Sequence, residues 1–164
     1  MHWDTLNPNP PAAASPYDWS YVDDAFNQAS VWDAQNPALL PKTIQLIISA
    51  GFQSPQWMLD QLPSCDGLFQ SPVQPPPSTC GKVTFEGFVE GGDSMQLPLP
   101  WNAVYKSAWK AFLIALAARY GSNSAFVSIA VAGPTAAWAE MLLPNGTALS
   151  QSQFGGLSPN AVWL

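Results

Sequence analysis

Two short apolar runs, one early and one late in the chain, predict β-strands that are buried on both faces. Thr43–Ser49 is rich in β-branched residues and ends just before Gly51, and Ala125–Val131 has the same character further along. Between them, Trp101 to Tyr120 has the spacing of a helix. Two strands of one sheet that are joined through a helix lie parallel, with a right-handed crossover. The pattern therefore predicts a βαβ unit whose longest loop follows the first strand.

Helical spacing also predicts which faces of two helices are buried. The earlier helix is predicted over Trp19 to Ala34, with Asp18 as its N-cap, and the later one over Trp101 to Tyr120. Each helix carries an apolar stripe at three- and four-residue steps, which we expect to be buried. The stripes are Trp19, Val22, Phe26 and Ala29 in the first helix and Trp101, Val104, Ala108, Phe112, Ala115 and Leu116 in the second.

The first residues of the chain look like the end of a strand. His2–Leu6 is followed at once by a cluster of Pro and Asn residues that begins a loop. We therefore expect the chain to be a fragment that starts at the carboxyl end of a strand whose beginning is missing.

The loop after the first full strand contains both cysteines. Cys65 and Cys80 lie in a Pro- and Ser-rich stretch without the Cys-x-x-Cys or His spacing of a zinc site. We predict a disulfide between them, ahead of two unrelated thiols. Closing a loop of roughly 15 residues would contribute on the order of 3 kcal/mol to stability. The disulfide in turn predicts an oxidising location, extracellular or periplasmic.

The segments on either side of the cysteines carry two further signals. Ser54-Pro55 predicts the start of a short helical turn that places Trp57 near the end of the first strand. Lys82–Gly92 alternates apolar and polar residues, as a small hairpin or an extended excursion would.

Composition narrows the class of partner. Of 164 residues, 48% are hydrophobic and 10% are charged, and the net charge is −6. With only five Lys plus Arg, we predict no nucleic-acid partner. No apolar run is long enough to span a bilayer, and no N-terminal signal segment is visible. We also predict no cofactor and no metal site, because Glu86, Glu90 and Asp93 lack the spacing of a calcium loop.

Several short sequence motifs, taken in order, resemble those of the clan of (β/α)8-barrel glycoside hydrolases that includes cellulases and β-galactosidases. The motifs are His2-Trp3-Asp4, Tyr17-Asp18-Trp19-Ser20, Ser54-Pro55-Gln56-Trp57, Pro98-Leu99-Pro100-Trp101 and Ala118-Arg119-Tyr120-Gly121. The resemblance implies an α/β fold in which residues 1–164 form a single domain. That domain would be a partial (β/α)8 TIM barrel, roughly the second to fourth βα units, with a long disulfide-closed loop after the first full strand. The implied activity is hydrolysis of O-glycosyl bonds in a carbohydrate substrate, with the remainder of the barrel as a partner.

The resemblance also implies where a catalytic carboxyl group would lie. In that clan a Glu directly after an Asn ends the fourth strand, whereas here the strand runs into Ala132-Gly133-Pro134-Thr135 and the nearest carboxylate is Glu140. Glu140 is the candidate general acid/base, and the alternative is an exposed Glu at the start of a helix. Because a glycosidase needs two carboxyl groups, we expect this chain alone to be inactive.

Five residues are candidates for substrate binding. His2 and Asp4 would hydrogen-bond sugar hydroxyls from a strand end, or else would be exposed terminal residues. The rings of Trp3, Trp57 and Trp138 would stack on the apolar faces of a sugar.

Two alternatives to a glycoside hydrolase fragment stay open. One is a non-catalytic carbohydrate-binding or cell-surface protein that retains the barrel motifs, and the other is a self-sufficient small α/β domain. A seventh strand ending in Glu would favour the enzyme, and its absence would favour the binding protein.

Overall fold

The computed structural model describes residues 1–66, 79–85 and 94–131. Within these ranges the chain forms four α-helices, two of them long, and two pairs of strands. A 3-10 turn at Gly51–Gln53 follows the first strand. The elements in chain order are α1 (Trp3–Leu6), α2 (Ser20–Gln35), β1 (Ile44–Ile48), α3 (Gln56–Leu59), β2 (Lys82–Phe85), β3 (Met95–Pro98), α4 (Ala103–Tyr120) and β4 (Phe126–Val131).

β1 and β4 form a parallel pair joined through α4, as the sequence predicts. Leu46 lies opposite Ile129 and Ile48 opposite Val131. Leu46 and Ile48 are buried, whereas Ile47, on the other face, is 42% exposed. One face of the pair therefore contributes to the core, and the prediction that β1 is buried on both faces is wrong in the described part of the chain.

The N-terminal residues pair with the end of β1 through a single bridge. The Trp3 amide donates to the Ser49 carbonyl at 2.9 Å, and the Ser49 amide donates to the Met1 carbonyl at 2.8 Å. His2 is extended and bridges Ser49 in parallel. The chain then leaves the sheet, because α1 is a helical turn rather than the strand end predicted for His2–Leu6. Asp4 consequently lies just past the carboxyl edge of the sheet.

α4 covers the sheet with a stripe that differs from the predicted one. Asn102 caps the helix, its side-chain oxygen accepting from the Val104 amide at 2.9 Å and the Tyr105 amide at 3.3 Å. Trp101 and Val104 are 43% and 39% exposed, so their predicted burial is wrong. The buried side of the helix consists of Tyr105, Phe112, Leu116 and Tyr120.

α2 packs beside α4 and is linked to it by an ion pair. The guanidinium of Arg119 donates to both carboxylate oxygens of Asp23, at 3.0 Å from Nε and 2.5 Å from Nη2. The Tyr120 hydroxyl donates to Asp23 as well, at 2.7 Å. The hydrogen bond from Arg119 is the largest influence on Asp23 and lowers the pKa of its carboxyl group.

β2 and β3 form an antiparallel pair, separate from the parallel one. Val83 lies opposite Leu97 and Phe85 opposite Met95. The first of these strands begins the segment Lys82–Gly92, for which a small hairpin or an extended excursion is predicted, whereas its partner β3 lies beyond that segment. The predicted excursion between them, with Glu86, Glu90 and Asp93, lies outside the described residues.

The prediction of a partial (β/α)8 barrel is wrong. The described residues form two sheets of two strands each, and one of these is antiparallel. A barrel is a closed sheet in which every strand has a neighbour on both sides, whereas β1 has a full neighbour on one side and an isolated bridge on the other. The motifs that resemble those of the glycoside hydrolases lie at strand ends and helix starts, and such local features recur in any protein that contains a βαβ unit.

No helix among residues 1–66, 79–85 and 94–131 combines the length and the apolar character needed to cross a membrane.

Candidate functional site

The turn that follows β1 shapes one of the concave parts of the surface. Gly51 has a φ of 64°, a left-handed conformation that suits a residue without Cβ. The 3-10 turn that starts there leads through Ser54 and Pro55 into α3. The chain thereby turns just after the carboxyl end of β1, the end of a parallel strand at which α/β proteins commonly place their ligands.

Tyr105 of α4 supports this turn from the core side. Its ring packs edge-on against Trp3, with centroids 6.0 Å apart. Burial raises the pKa of the Tyr105 hydroxyl to about 12, against the opposing effect of a hydrogen bond with the Gly51 backbone. Burial likewise raises the pKa of Tyr120 to about 12.

These two tyrosines predict a loss of stability in alkali. A phenol whose pKa is raised on folding stabilises the native state fully below its unfolded pKa, here about 10. That contribution is lost as pH rises through the folded value of about 12. We expect the free energy of unfolding to fall between about pH 10 and pH 12, by on the order of 2 kcal/mol for Tyr105, and the urea midpoint to fall with it.

The matching variants are Tyr105→Phe and Tyr120→Phe, each followed by urea unfolding across this pH range. Each substitution should reduce the loss of stability that the parent protein shows between about pH 10 and pH 12. Variants that follow the same pH curve as the parent protein would show that neither hydroxyl is responsible.

A cavity of about 500 Å³ lies between α1, the 3-10 turn, α3 and β3. We call it the Asp4 cavity. It brings polar and apolar groups from three separate segments of the chain together, namely 4–8, 52–59 and 94–96. Its lining residues are Asp4, Pro8, Phe52, Ser54, Pro55, Gln56, Leu59, Ser94, Met95 and Gln96.

Two side-chain oxygens of residues that line the Asp4 cavity are buried and have no hydrogen-bond partner among the described residues. They are Oγ of Ser54 and Oε1 of Gln96. Ser54 as a whole is only 4% exposed. A buried polar atom without a hydrogen bond costs roughly 1–3 kcal/mol, so such atoms are uncommon in folded proteins. Both oxygens belong to residues that line the Asp4 cavity, which makes Ser54 and Gln96 candidate hydrogen-bonding residues for a ligand there.

Asp4 places a carboxylate in the same wall. It is half-buried and sits in the first turn of α1. Its Oδ1 accepts from the amide and the hydroxyl of Thr5, at 2.6 and 3.2 Å. These contacts fix the orientation of the side chain through one of its two oxygens.

The far wall of the Asp4 cavity is attached to the sheet through Phe52. The Phe52 ring meets Phe85 of the hairpin edge-on, with centroids 5.5 Å apart. Together with the disulfide they form a second small core that holds β3, and therefore Gln96, in place. This core consists of Phe52, Cys65, Cys80, Val83, Phe85, Leu97 and Leu99.

The predicted disulfide is confirmed. Cys65 and Cys80 are bonded, with their Cα atoms 5.0 Å apart. Next to the bond, the Cys65 amide donates to the Lys82 carbonyl at 2.7 Å, and Lys82 Nζ donates to the Leu59 carbonyl at 2.8 Å. The bond indicates an oxidising environment and ties the hairpin to the segment that follows α3.

The other predicted site residues are dispersed. Trp3 has no exposed surface and lies in the core, where its indole N–H donates to Asn7 Oδ1 at 3.3 Å. His2 is exposed and lines a different hollow, beside Tyr21. Of the candidates in the described ranges, only Asp4 lines the Asp4 cavity.

Trp57 lies on α3, the short helical turn that starts after Ser54-Pro55 as predicted, and it is not among the residues that line the Asp4 cavity. It is half-buried, and its indole N–H donates to the Asn7 carbonyl at 2.9 Å. With Pro11 and Gln61 it lines a groove of about 430 Å³ against small residues of α4. Stacking of a sugar on Trp57 stays a prediction, and it would not occur in the Asp4 cavity.

The predicted acid/base Glu140 and the predicted stacking residue Trp138 lie outside the described residues. Their roles stay predictions.

Sequence reasoning missed Ser54 and Gln96, the two residues with unpaired oxygens. Ser54 carried one usable signal, since it follows the carboxyl end of a buried strand by a few residues. The sequence around Gln96 gave no such signal, because the burial of its side-chain oxygen depends on how the hairpin packs against Phe52.

No family model, curated protein or solved structure matches this chain.

Proposed function

We propose that this protein binds carbohydrate in the Asp4 cavity. The observation that carries the proposal is the pair of buried, unpartnered oxygens of Ser54 and Gln96 in one wall. Once either side chain turns toward the cavity, a sugar hydroxyl can donate a hydrogen bond to its oxygen, and the Ser54 hydroxyl can also donate to a sugar. The apolar side chains of Phe52 and Met95 in the same cavity offer surface for the C–H face of a pyranose. A few polar groups among apolar ones is the usual make-up of a small-molecule site.

Binding without hydrolysis is the function that this wall supports better. Both retaining and inverting glycosidases use two carboxyl groups, about 5–9.5 Å apart. Among the described residues that line the Asp4 cavity, Asp4 provides the one carboxylate. The disulfide suits a site that operates outside the cytoplasm, and we propose an extracellular or periplasmic location on that ground.

Glycoside hydrolysis is the second candidate, and the carboxylate of Asp4 in a cavity suited to hydroxyl groups is what favours it. A partner carboxyl group would have to come from elsewhere, with Glu140 as the prediction. Incubating the whole chain with aryl β-glycosides separates the two functions. We expect no release of the aryl group, and release that Asp4→Asn abolishes would make hydrolysis the better proposal.

The binding proposal is tested by calorimetric titration with neutral pyranosides and their β-linked disaccharides. Ser54→Ala and Gln96→Met each remove one of the unpaired oxygens at nearly constant volume. A net hydrogen bond of 0.5–1.5 kcal/mol corresponds to a loss of affinity of roughly 2- to 10-fold for each variant.

The thermal stability of Ser54→Ala provides a second readout. Replacing a buried hydroxyl that has no partner removes an unfavourable burial, so its Tm should equal or exceed that of the parent. Ser30→Ala, at an exposed position on α2, is the matched control and should change neither quantity. Saccharides that bind the Ser54 and Gln96 variants as tightly as the parent, or a panel with no binder, would refute the proposal.

A further inference from the structure

We infer that the preferred ligand of the Asp4 cavity is a cationic sugar, one that carries a protonated amino group among its hydroxyls. The inference deepens the proposed function and rests on it. It concerns the charge of the ligand, which the unpaired oxygens of Ser54 and Gln96 do not specify.

The first support is that Asp4 has no cationic partner. All five Lys and Arg of the chain fall within the described ranges, and none of them lines the Asp4 cavity. In that part of the chain the ion pair is between Arg119 and Asp23, on the far side of the core. The carboxylate of Asp4 thus faces the cavity without a compensating charge.

The second support is that the cations are held elsewhere. Lys42 Nζ lies 4.2 Å from the centre of the Trp32 ring. Lys82 is bonded to the carbonyl of Leu59, a residue of the wall, but does not itself line the cavity. Lys106 and Lys110 are exposed on α4. None of the five Lys and Arg side chains, all of which lie in the described ranges, lines the Asp4 cavity, so none of them is placed to attract an anionic sugar into it.

The third support is the orientation of Asp4. Its contacts with Thr5 go to Oδ1, and a carboxylate has about four acceptor positions on its two oxygens. An ammonium group is a donor with three N–H bonds, and its hydrogen bond to a carboxylate is roughly twice as strong as a neutral one. A ligand that offers hydroxyls to Ser54 and Gln96 and an ammonium group to Asp4 therefore matches these three of the wall's polar side chains.

The overall charge of the chain also favours a cationic ligand. The chain carries a net charge of −6, which favours the approach of cations over anions at low ionic strength. Amino sugars are a class of carbohydrate that combines the required hydroxyls with a positive charge.

The test compares three ligands with one ring and one anomeric group, namely the methyl β-glycosides of glucosamine, glucose and glucuronic acid. Titrations are done at about pH 6, where an amine is protonated. We expect glucosaminide to bind roughly tenfold tighter than glucoside, and glucuronide to bind more weakly than either. Raising the salt concentration should narrow the gap between the charged ligands.

Asp4→Asn supplies the decisive comparison, because it removes the charge and keeps the shape. In this variant the glucosaminide and the glucoside should bind with similar affinities, whatever the change in the affinity for the glucoside. Gln56→Glu, at an exposed position of the same wall, should instead increase the preference for the cation. The unfolding midpoint of each variant shows whether it is folded.

The outcomes separate this inference from the proposed function. Equal affinities for glucoside and glucosaminide, or a preference that persists in Asp4→Asn, would overturn the inference and leave carbohydrate binding intact. The absence of binding by all three ligands would overturn both.

Discussion

Replacing Trp3 with alanine is expected to destabilise the protein by about 3–5 kcal/mol. Trp3 has no exposed surface. Its ring meets Trp109 edge-on with centroids 4.9 Å apart, and lies 6.0 Å from each of Tyr105 and Phe112. Truncation would leave a cavity at the centre of this aromatic group. A typical domain is stable by only 5–15 kcal/mol, so the variant should be close to unfolding at room temperature.

Replacing Trp3 with alanine also removes a hydrogen-bond donor from buried Asn7. Asn7 is 2% exposed, and its Oδ1 accepts the Trp3 indole N–H. Its Nδ2 donates to the carbonyls of Asn9 and Pro16 at 2.9 and 2.8 Å, which holds the loop after α1. Trp3→Phe keeps most of the ring volume and removes the N–H, so it should lie between the parent and Trp3→Ala.

Urea unfolding followed by circular dichroism measures these differences. Tyr21→Ala, at a side chain that is 70% exposed, is the control and should shift the free energy of unfolding by no more than about 0.5 kcal/mol. A Trp3→Ala protein with the parent's unfolding midpoint would show that the aromatic core does not include Trp3.

Removing the Cys65–Cys80 disulfide is expected to cost about 3 kcal/mol and to loosen the hairpin before the rest of the fold. The bond closes a loop with a sequence separation of 15 residues, for which restriction of the unfolded chain gives a value of that order. Both sulfurs are buried in the small core that also contains Phe52 and Phe85. The parallel strands β1 and β4 belong to the other core and do not touch the bond.

Hydrogen exchange of backbone amides resolves this local effect. In Cys65→Ser/Cys80→Ser, or after reduction of the parent, amides of Val83 and Leu97 should exchange faster, while those of Leu46 and Ile48 keep more of their protection. Because β3 carries Gln96, sugar affinity should fall as well. Unchanged exchange at the hairpin amides, together with an unchanged Tm, would contradict the structural role given to the disulfide.

The parallel pair could be predicted because it depends on short-range information. The apolar runs of β1 and β4 and the helix between them are each encoded within a few neighbouring residues, and their parallel order follows from the connection. The ends of α4 were nearly predictable for the same reason. Asn102 caps the helix and Gly121 follows it, and only the first two predicted residues, Trp101 and Asn102, lie outside it.

The barrel was not predictable, because the number of strands in a sheet is not a local property. His2–Leu6 has the composition of a strand end, yet the chain leaves the sheet after His2 and forms a helical turn. The buried face of α4 was misplaced by one position at its start, since Tyr105 combines an apolar ring with a hydroxyl that bonds the Gly51 backbone.

The candidate site was predicted only in part. Asp4 could be found because a carboxylate after a strand end is a recognisable pattern. Ser54 and Gln96 could not, since the lack of a partner for a buried oxygen is visible only when all its neighbours are placed. Three of the predicted binding residues, His2, Trp3 and Trp57, are separated by the fold into a hollow, the core and a groove.

The central claim is that a sugar occupies the Asp4 cavity, and mapping of chemical shifts in the ¹⁵N-labelled protein tests it most directly. Methyl β-glucosaminide is titrated into the protein, and every backbone and side-chain amide is followed. We expect saturable shifts confined to residues around the cavity, with the Gln96 side-chain amide and the Ser54 backbone amide among the largest. Amides of the Trp57 groove and of the exposed side of α4 should not move. Shifts centred on Trp57 with none at Ser54 and Gln96, or no saturable shifts at all, would contradict the account.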